Sequence, residues 1–422
     1  MNQLASSDRP IPMGQLLLCG ALIVTMSMGI RHSFGLWLQP ITMAHGWTRE
    51  DYSLAMAIQN LVWGASGPLI GWWADRSGAF KVLWSGALLY ALGLLGMATT
   101  NQHLSFVLTT GVLIGLGQAC STYTVIFGVV GRNVTLAQRS MAMGITAAAG
   151  SFGQFLMVPV ASALLHAMDW SSALLILAVT ALVIGPLAFG LREKRFSAEF
   201  RAATASAPGP GHTAPHASQQ SASQALKEAF GHRDYLLLTA GYFVCGFQLA
   251  FIGVHLPSYL KDHQLAPEVA TTALALIGLF NVLGSYAAGA LGARLRKNWI
   301  LSSIYGLRAL TMLLFIMAPL SAWSVSLFAA AMGTLWLSTV PPTNAIVAQM
   351  HGIRHLSMLG GIVFFSHQIG SFLGVWLAGR LYDFTGSYQV VWWLAIALGV
   401  LAALINLPIQ EQRQPRAKLQ ST

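Results

Sequence analysis

Residues 192–234, "REKRFSAEFRAATASAPGPGHTAPHASQQSASQALKEAFGHRD", form the one long polar interruption in this chain. Their Ala, Ser, Pro and Gly content offers too little apolar side chain for a core. A mostly flexible linker is expected, helical only near Ser223–Phe230. Outward from it, apolar runs of about 20 residues recur to either end, each long enough to cross a bilayer core as a helix. Read between polar breaks, they lie near 14–39, 52–74, 80–99, 104–130, 141–165, 170–191, 235–260, 270–293, 299–319, 323–349, 356–380 and 388–408. The expected fold is all-α and polytopic, with twelve transmembrane helices in two six-helix pseudo-repeats. An N-terminal bundle would cover 1–191, a cytoplasmic linker 192–234, and a C-terminal bundle with a short tail 235–422.

Composition agrees. Of 422 residues, 55% are hydrophobic and 9% charged, against about 25% charged in a soluble domain. No cleavable signal peptide is expected, because the first run is too long for an h-region and no A-x-A-like site follows it. Cys19, Cys120 and Cys245 all fall in apolar runs and read as reduced core residues, not as a disulfide set. The net charge of +10 raises the question of nucleic acid, and its distribution answers it. With both termini cytoplasmic, only Arg49, Lys261 and Arg380 fall outside and Arg31 and Arg308 within spans, leaving the other 18 of 23 Lys and Arg on the cytoplasmic side. That asymmetry follows the positive-inside rule. No nucleic-acid partner is needed.

The halves share an offset of 217 or 218 positions. Phe34 and Pro40 align with Phe251 and Pro257, Gly71 with Gly289, Gly115 with Gly333, and Gly144 and Gly153 with Gly361 and Gly370. A nearly constant offset over five spans reads as a parallel internal repeat, which places a solute site near the midplane between the halves.

Between the second and third runs stands "GWWADRSGAFKVL", Gly71–Leu83. Gly71 would let helices approach, Asp75 cap the cytoplasmic end and Gly78 turn the chain, while Arg76 and Lys81 face the anionic leaflet. This stretch resembles the loop motif G-x-x-x-D-R-x-G-x-[RK]-[RK] of the major facilitator superfamily through Gly71, Asp75, Arg76, Gly78 and Lys81, with Phe80 departing from it. The second-half counterpart, Gly289–Lys297, has Ala293 where the motif has Asp. The resemblance covers essentially the whole chain, and it implies that this motif serves gating. Within the superfamily, "RHSFGLWLQPITMAHGWTRE" (31–50) is similar to the monocarboxylate and oxalate/formate porters, with Gly46, Trp47, Thr48 and Arg49 supplying the first outer-loop signature. Those relatives move small organic anions, often with a proton or in exchange. Many hold an arginine midway along the eighth span, where this chain has Ser285 followed by Tyr286. The G-x-x-x-G-P motif of drug exporters is not met, since Gly153 and Pro159 are wrongly spaced.

Arg31 is the central candidate. It lies nine residues before Pro40, about 13 Å inside the outer end of its helix. A charge at that depth costs at least ~2.5–3.5 kcal/mol on insertion scales. All 13 Asp and Glu fall in loops or at span ends, so no acidic side chain is placed to neutralise it. A guanidinium suits bidentate recognition of a carboxylate. The competing reading is an arginine braced by carbonyls and water. Arg308, nearer a cytoplasmic end, reads as a brace between helices. His367 and His32 are the proton-coupling candidates, a histidine being able to titrate near neutral pH; hydrogen-bonded neutral roles compete, and His255 ranks behind them. Gln248, at the repeat position of Arg31, would present a paired donor across the cavity. Asn60, Tyr123, Asn281, Trp336 and His367 complete the candidate substrate-binding set, with Gln154 and Asn344 as further mid-span polar groups; each serves equally as interhelical glue.

The function expected is secondary active transport of a small organic anion, monocarboxylate-like, by alternating access, with a proton as candidate coupling ion. The alternative is an exporter of amphiphilic drugs or metabolites. A membrane enzyme is disfavoured: there is no HExxH, no paired intramembrane carboxylates and no His/Asp cluster at metal spacing. A sensor would carry a soluble signalling domain that 192–234 is too short to supply. No cofactor or metal is expected. Partners would be the anion, membrane lipids and the coupling proton, with a monomer in a bacterial inner membrane.

Overall fold

The computed structural model describes residues 11–134, 136–192, 222–351 and 356–411. Among these, eleven helical stretches are long and apolar enough to cross a membrane. In chain order they are α1 (Met13–His45), α3 (Ala79–Thr99), α4 (His103–Asn133), α5 (Leu136–Ala167), α6 (Trp170–Phe189), α7 (Arg233–Asp262), α8 (Pro267–Gly292), α9 (Lys297–Met317), α10 (Ala322–His351), α11 (Leu356–Thr385) and α12 (Gln389–Asn406). The remaining one, α2 (Arg49–Ser77), has 29 residues but carries charges at both ends and Gln59 and Asn60 midway. It belongs with the others because it lies between α1 and α11 in the packing. No strand occurs among the described residues. A short helix at Ala222–Gly231 occupies the part of the linker expected to be helical; 193–221 lies outside the described residues.

Boundaries differ from the apolar runs where caps extend the helices. α2 begins at Arg49 because Thr48 caps it reciprocally: its hydroxyl accepts from Asp51 N–H and Asp51 accepts from Thr48 N–H. α1 continues past Ser33 through a tight turn, Phe34–Trp37, and stops at Gly46, whose φ of +65° suits a residue without Cβ. α11 runs to Thr385, beyond the expected 380. Two spans are broken: α4 at Thr122, which has extended backbone, and α10 between Leu335 and Val340. Thr122 and Thr339 are related by the repeat offset of 217, so the interruption recurs in both halves. In α10 the second segment opens with Pro341 and Pro342, acceptable where a first turn leaves N–H groups unpaired anyway.

The repeat is visible in packing. A Cβ on Gly115 would stand 2.9 Å from the Gln59 carbonyl on α2, and one on Gly333 would stand 2.8 Å from the Ile277 carbonyl on α8. Gln59 and Ile277 are themselves one offset apart. Likewise Gly29 and Gly153 bring the backbones of α1 and α5 together, as Gly246 and Gly370 do for α7 and α11. Other offset glycines, Gly144, Gly289 and Gly361, meet nothing within 4 Å.

The first six and last six spans join mainly along α2/α11 and α5/α8. Among the described residues, the polar bonds across these two seams lie at or to the Arg49 side of Trp63 and Asn281. Along α5/α8 they are Thr271 to Ser162 at 2.8 Å, Gln154 to the Leu274 carbonyl at 2.9 Å and Asn281 to Ser151 at 2.8 Å. Along α2/α11 the seam ends where Trp63 meets Phe364, ring centroids 5.5 Å apart. Farther toward Asp75, a Cβ on Gly67 would meet nothing within 4 Å, and Tyr286 on α8 is 81% exposed. Among the described residues, the two halves are fastened at the Arg49 end, and no polar bond joins α2 to α11 or α5 to α8 toward the Asp75 end.

Candidate functional site

Arg31 projects from α1 where α2 and the break in α4 converge. One guanidinium nitrogen, Nη2, donates to Asn60 Oδ1. The guanidinium carbon lies 4.7 Å from the Trp63 ring centroid, a cation–π distance. Asn60 and Trp63 are three residues apart on α2 and so share a face. The Trp63 indole N–H donates to Thr122 Oγ1 at 3.2 Å, tying this wall to the interruption in α4. Nε of Arg31 is buried with no acceptor. The ionisable groups that act on it electrostatically are Tyr90 and Tyr123, both phenols, and the adjoining His32. No carboxylate among the described residues bonds to it. The guanidinium therefore has protein acceptors for only part of its five N–H groups.

The site continues into the second half through one residue. Gln368 on α11 donates to the Asn60 carbonyl at 3.1 Å, and its own Oε1 accepts from His367 Nδ1 at 3.1 Å. His367 rests between Tyr242, 5.0 Å away, and Phe364, stacked at 6.0 Å. Arg31, Asn60, Gln368 and His367 thus form a chain of contacts from α1 to α11. Neither Trp63 nor Gln368 was in the set expected from sequence. Trp63 was detectable only by its helical register with Asn60.

Three expected residues, Gln248, Asn281 and Trp336, are engaged elsewhere. Gln248, expected to mirror Arg31, donates instead to the Ala395 carbonyl on α12 at 2.9 Å, so its amide packs between α7 and α12. Asn281 has its side-chain amide occupied: Nδ2 donates to Ser151, while Oδ1 accepts from Leu337 N–H at 3.0 Å and from Ser285. Trp336 is 2% exposed and packs into the second-half core at the α10 break. Tyr123 stands beside Gly150, its hydroxyl 3.5 Å from the Ala147 carbonyl. His32 makes no hydrogen bond among the described residues. Arg308, fully buried, donates to the Leu335 and Trp336 carbonyls freed by the α10 break. It is a brace on that break.

In the loop motif, Gly78 ends α2 with φ +87°. Asp75 is not the cap; it pairs with Arg132 at the end of α4, 2.6 Å away. Arg76 lies over the Trp72 ring at 4.5 Å, and Lys81 is exposed. A Cβ on Gly71 would stand 3.4 Å from the Thr124 methyl, an ordinary contact, so no unusually close approach requires this glycine.

The opposite end holds a network that composition did not reveal. Arg49 forms a two-point ion pair with Asp262 of α7, both contacts 2.7 Å, and donates to the Tyr388 hydroxyl at 2.8 Å. Its guanidinium lies 3.7 Å from the Tyr382 ring centroid. Asp383 on α11 accepts the first backbone N–H groups of α2, from Arg49 and Glu50, and Glu50 accepts from Trp376 and Arg380. These contacts fasten one half to the other.

A membrane-spanning bundle fastened at one end and holding beside the seam of its halves an arginine with, among the described residues, no carboxylate partner is the architecture of a solute carrier. The chain belongs to the Major Facilitator Superfamily, which its residues 17–352 and again 238–421 match. Relatives include an uncharacterised MFS-type transporter, YcxA, of Bacillus subtilis (strain 168), 24% identical over 89% of this chain and 90% of that protein. Monocarboxylate transporter 13 of Rattus norvegicus is 27% identical over 90% of this chain and 85% of its own. Monocarboxylate transporter 12 of Mus musculus is 24% identical over 73% and 67% respectively. Among solved structures, a bacterial homolog to the human lysosomal transporter Spinster, inward-facing and unoccupied, superposes with a TM-score of 0.71 at 13% identity, covering 95% of this chain and 99% of that one. The protein is a multi-pass membrane transporter, not an enzyme.

Proposed function

We propose that this transporter carries a small organic anion of the monocarboxylate type by alternating access, with Arg31 as the cation that receives its carboxylate. The observation carrying this reading is a partly buried guanidinium with a buried Nε that has no acceptor and, among the described residues, no acidic partner. A carboxylate brought there would complete both the charge and the fork of N–H donors. The relatives named for monocarboxylate transport support the solute class. With the basic residues placed toward the cytoplasm, the Asp75 end faces inward, and the membrane is a bacterial inner membrane with both termini cytoplasmic. The two six-helix bundles, 1–191 and 235–422, are the units that rock, and a monomer suffices.

Counterflow in proteoliposomes provides the test. Labelled lactate, pyruvate, formate and aromatic acids should exchange, at least one of them saturably. Transport of neutral or cationic amphiphiles with no anion exchange would instead establish the exporter reading.

His367 is the proton carrier of the central site in this reading, hydrogen-bonded to Gln368 and so coupled to Asn60 and Arg31. His367→Ala is expected to flatten the pH dependence of net uptake while leaving anion exchange intact. An unchanged profile in uptake assays would remove His367 from the mechanism.

A further inference from the structure

His255 lies fully buried in α7, close to the clamp at the Arg49 end and far along the helix from the central site. Its partners fix its state. Arg49 donates to the Tyr388 oxygen, so the Tyr388 proton is free to go to His255 Nδ1, 2.9 Å away. His255 Nε2 faces the Val375 carbonyl at 3.0 Å, which only accepts, and so carries the hydrogen. Ser53 donates to the Arg49 carbonyl at 2.6 Å and is left to accept from the same Nε2 at 3.3 Å. The imidazole is therefore neutral and bridges α2, α7, α11 and the residue before α12. These are both halves of the molecule.

A second proton has no place there. An imidazolium would turn Nδ1 into a donor facing a phenol oxygen that already accepts from a guanidinium, setting two cations on one hydroxyl. The charged and titratable groups around it are few. From α2 come Arg49, which repels it, and Glu50, held by Trp376 and Arg380 of α11. From α7 come Asp262, bound at two points to Arg49, and Tyr259. From α11 come Tyr382 and Asp383, the latter held by α2 N–H groups. No carboxylate among the described residues contacts the imidazole.

We propose that His255 is a proton-binding site that unlocks the Arg49 end: the closed arrangement requires the neutral ring, and protonation stabilises the arrangement in which α2 and α7 have parted and water reaches it. This stands apart from the cargo assigned above, because it concerns the clamp and not the anion. The sign follows from linkage. The closed form binds no proton at this residue and the open form binds one, so falling pH favours the open form. One proton sets the ceiling at about tenfold in the open-to-closed ratio per pH unit.

The experiment uses the full chain in nanodiscs without substrate, with Cys19, Cys120 and Cys245 replaced by serine. Spin labels are attached at M43C and F384C, positions 76% and 89% exposed on opposite sides of the clamp. Distance distributions at about pH 8 and about pH 6, bracketing ordinary histidine titration, should show a longer-distance population growing on acidification. In His255→Gln the populations should no longer respond to pH. In Tyr388→Phe, which removes both the acceptor for Arg49 and the hydroxyl that faces His255 Nδ1, the longer distance should already be enriched at the higher pH and the response should shrink. A wild-type distribution identical at both pH values overturns the proposal. So does either variant with a wild-type pH response.

Discussion

Arg31→Gln is expected to abolish measurable anion exchange while leaving the protein folded, inserted and at least as heat-stable as the wild type. Losing one partner of a desolvated charge pair costs about 2–5 kcal/mol, equivalent to roughly thirty- to several-thousand-fold in affinity. The same change removes a charge that the protein itself does not neutralise. Its effect on the empty carrier is therefore neutral or favourable, since the glutamine amide still reaches toward Asn60. Arg31→Lys, which keeps the charge but loses the planar fork, should fall between the two. Measured together, counterflow and thermal stability separate a binding residue from a brace. Should the glutamine variant lose stability and activity in parallel, or exchange anions with wild-type affinity, Arg31 would be structural.

The second large effect concerns the clamp. Asp262→Asn leaves Arg49 facing Tyr382 and Tyr388 without a counter-ion, its side chain only 13% exposed. The pair lies between the surface and buried limits, so roughly 1–3 kcal/mol of the closed state's advantage should be lost, a shift of about five- to more than a hundredfold toward opening. Thiol labelling at a cysteine introduced deep in the seam, such as one replacing Ser53, reports this as faster modification from the Arg49 side. Reversing the pair, Arg49→Asp with Asp262→Arg, should restore much of the protection. If labelling of the single variant stays at the wild-type rate, the ion pair does not hold this end shut.

Most of the architecture was legible because a bilayer forces it: apolar runs long enough to cross must be helices, and polar breaks must be loops. The repeat was legible too, since Gly115 and Gly333, or Gly153 and Gly370, are held at one spacing by the carbonyls they approach. What sequence could not supply was direction around a helix and partners far along the chain. Gln248 matched Arg31 by register, yet the internal symmetry fixes backbones more tightly than side chains, and its amide found Ala395 on α12. Asn281 was visible as a polar group in an apolar span, but not that its amide bridges α5 and α10. Arg49 belongs to a loop signature, but its partner Asp262 lies 213 positions away, beyond any local pattern.

Asn281 has a mechanical consequence. A single planar amide grips Ser151 of the neighbouring half on one edge and the unwound turn of α10 on the other. Swinging α5 away from α8 at that depth therefore pulls on Leu337, next to the carbonyls that Arg308 secures. For the rocking motion proposed above, the pivot belongs at the level of this amide, where the lever arms on either side sweep wide arcs while the fulcrum itself barely travels.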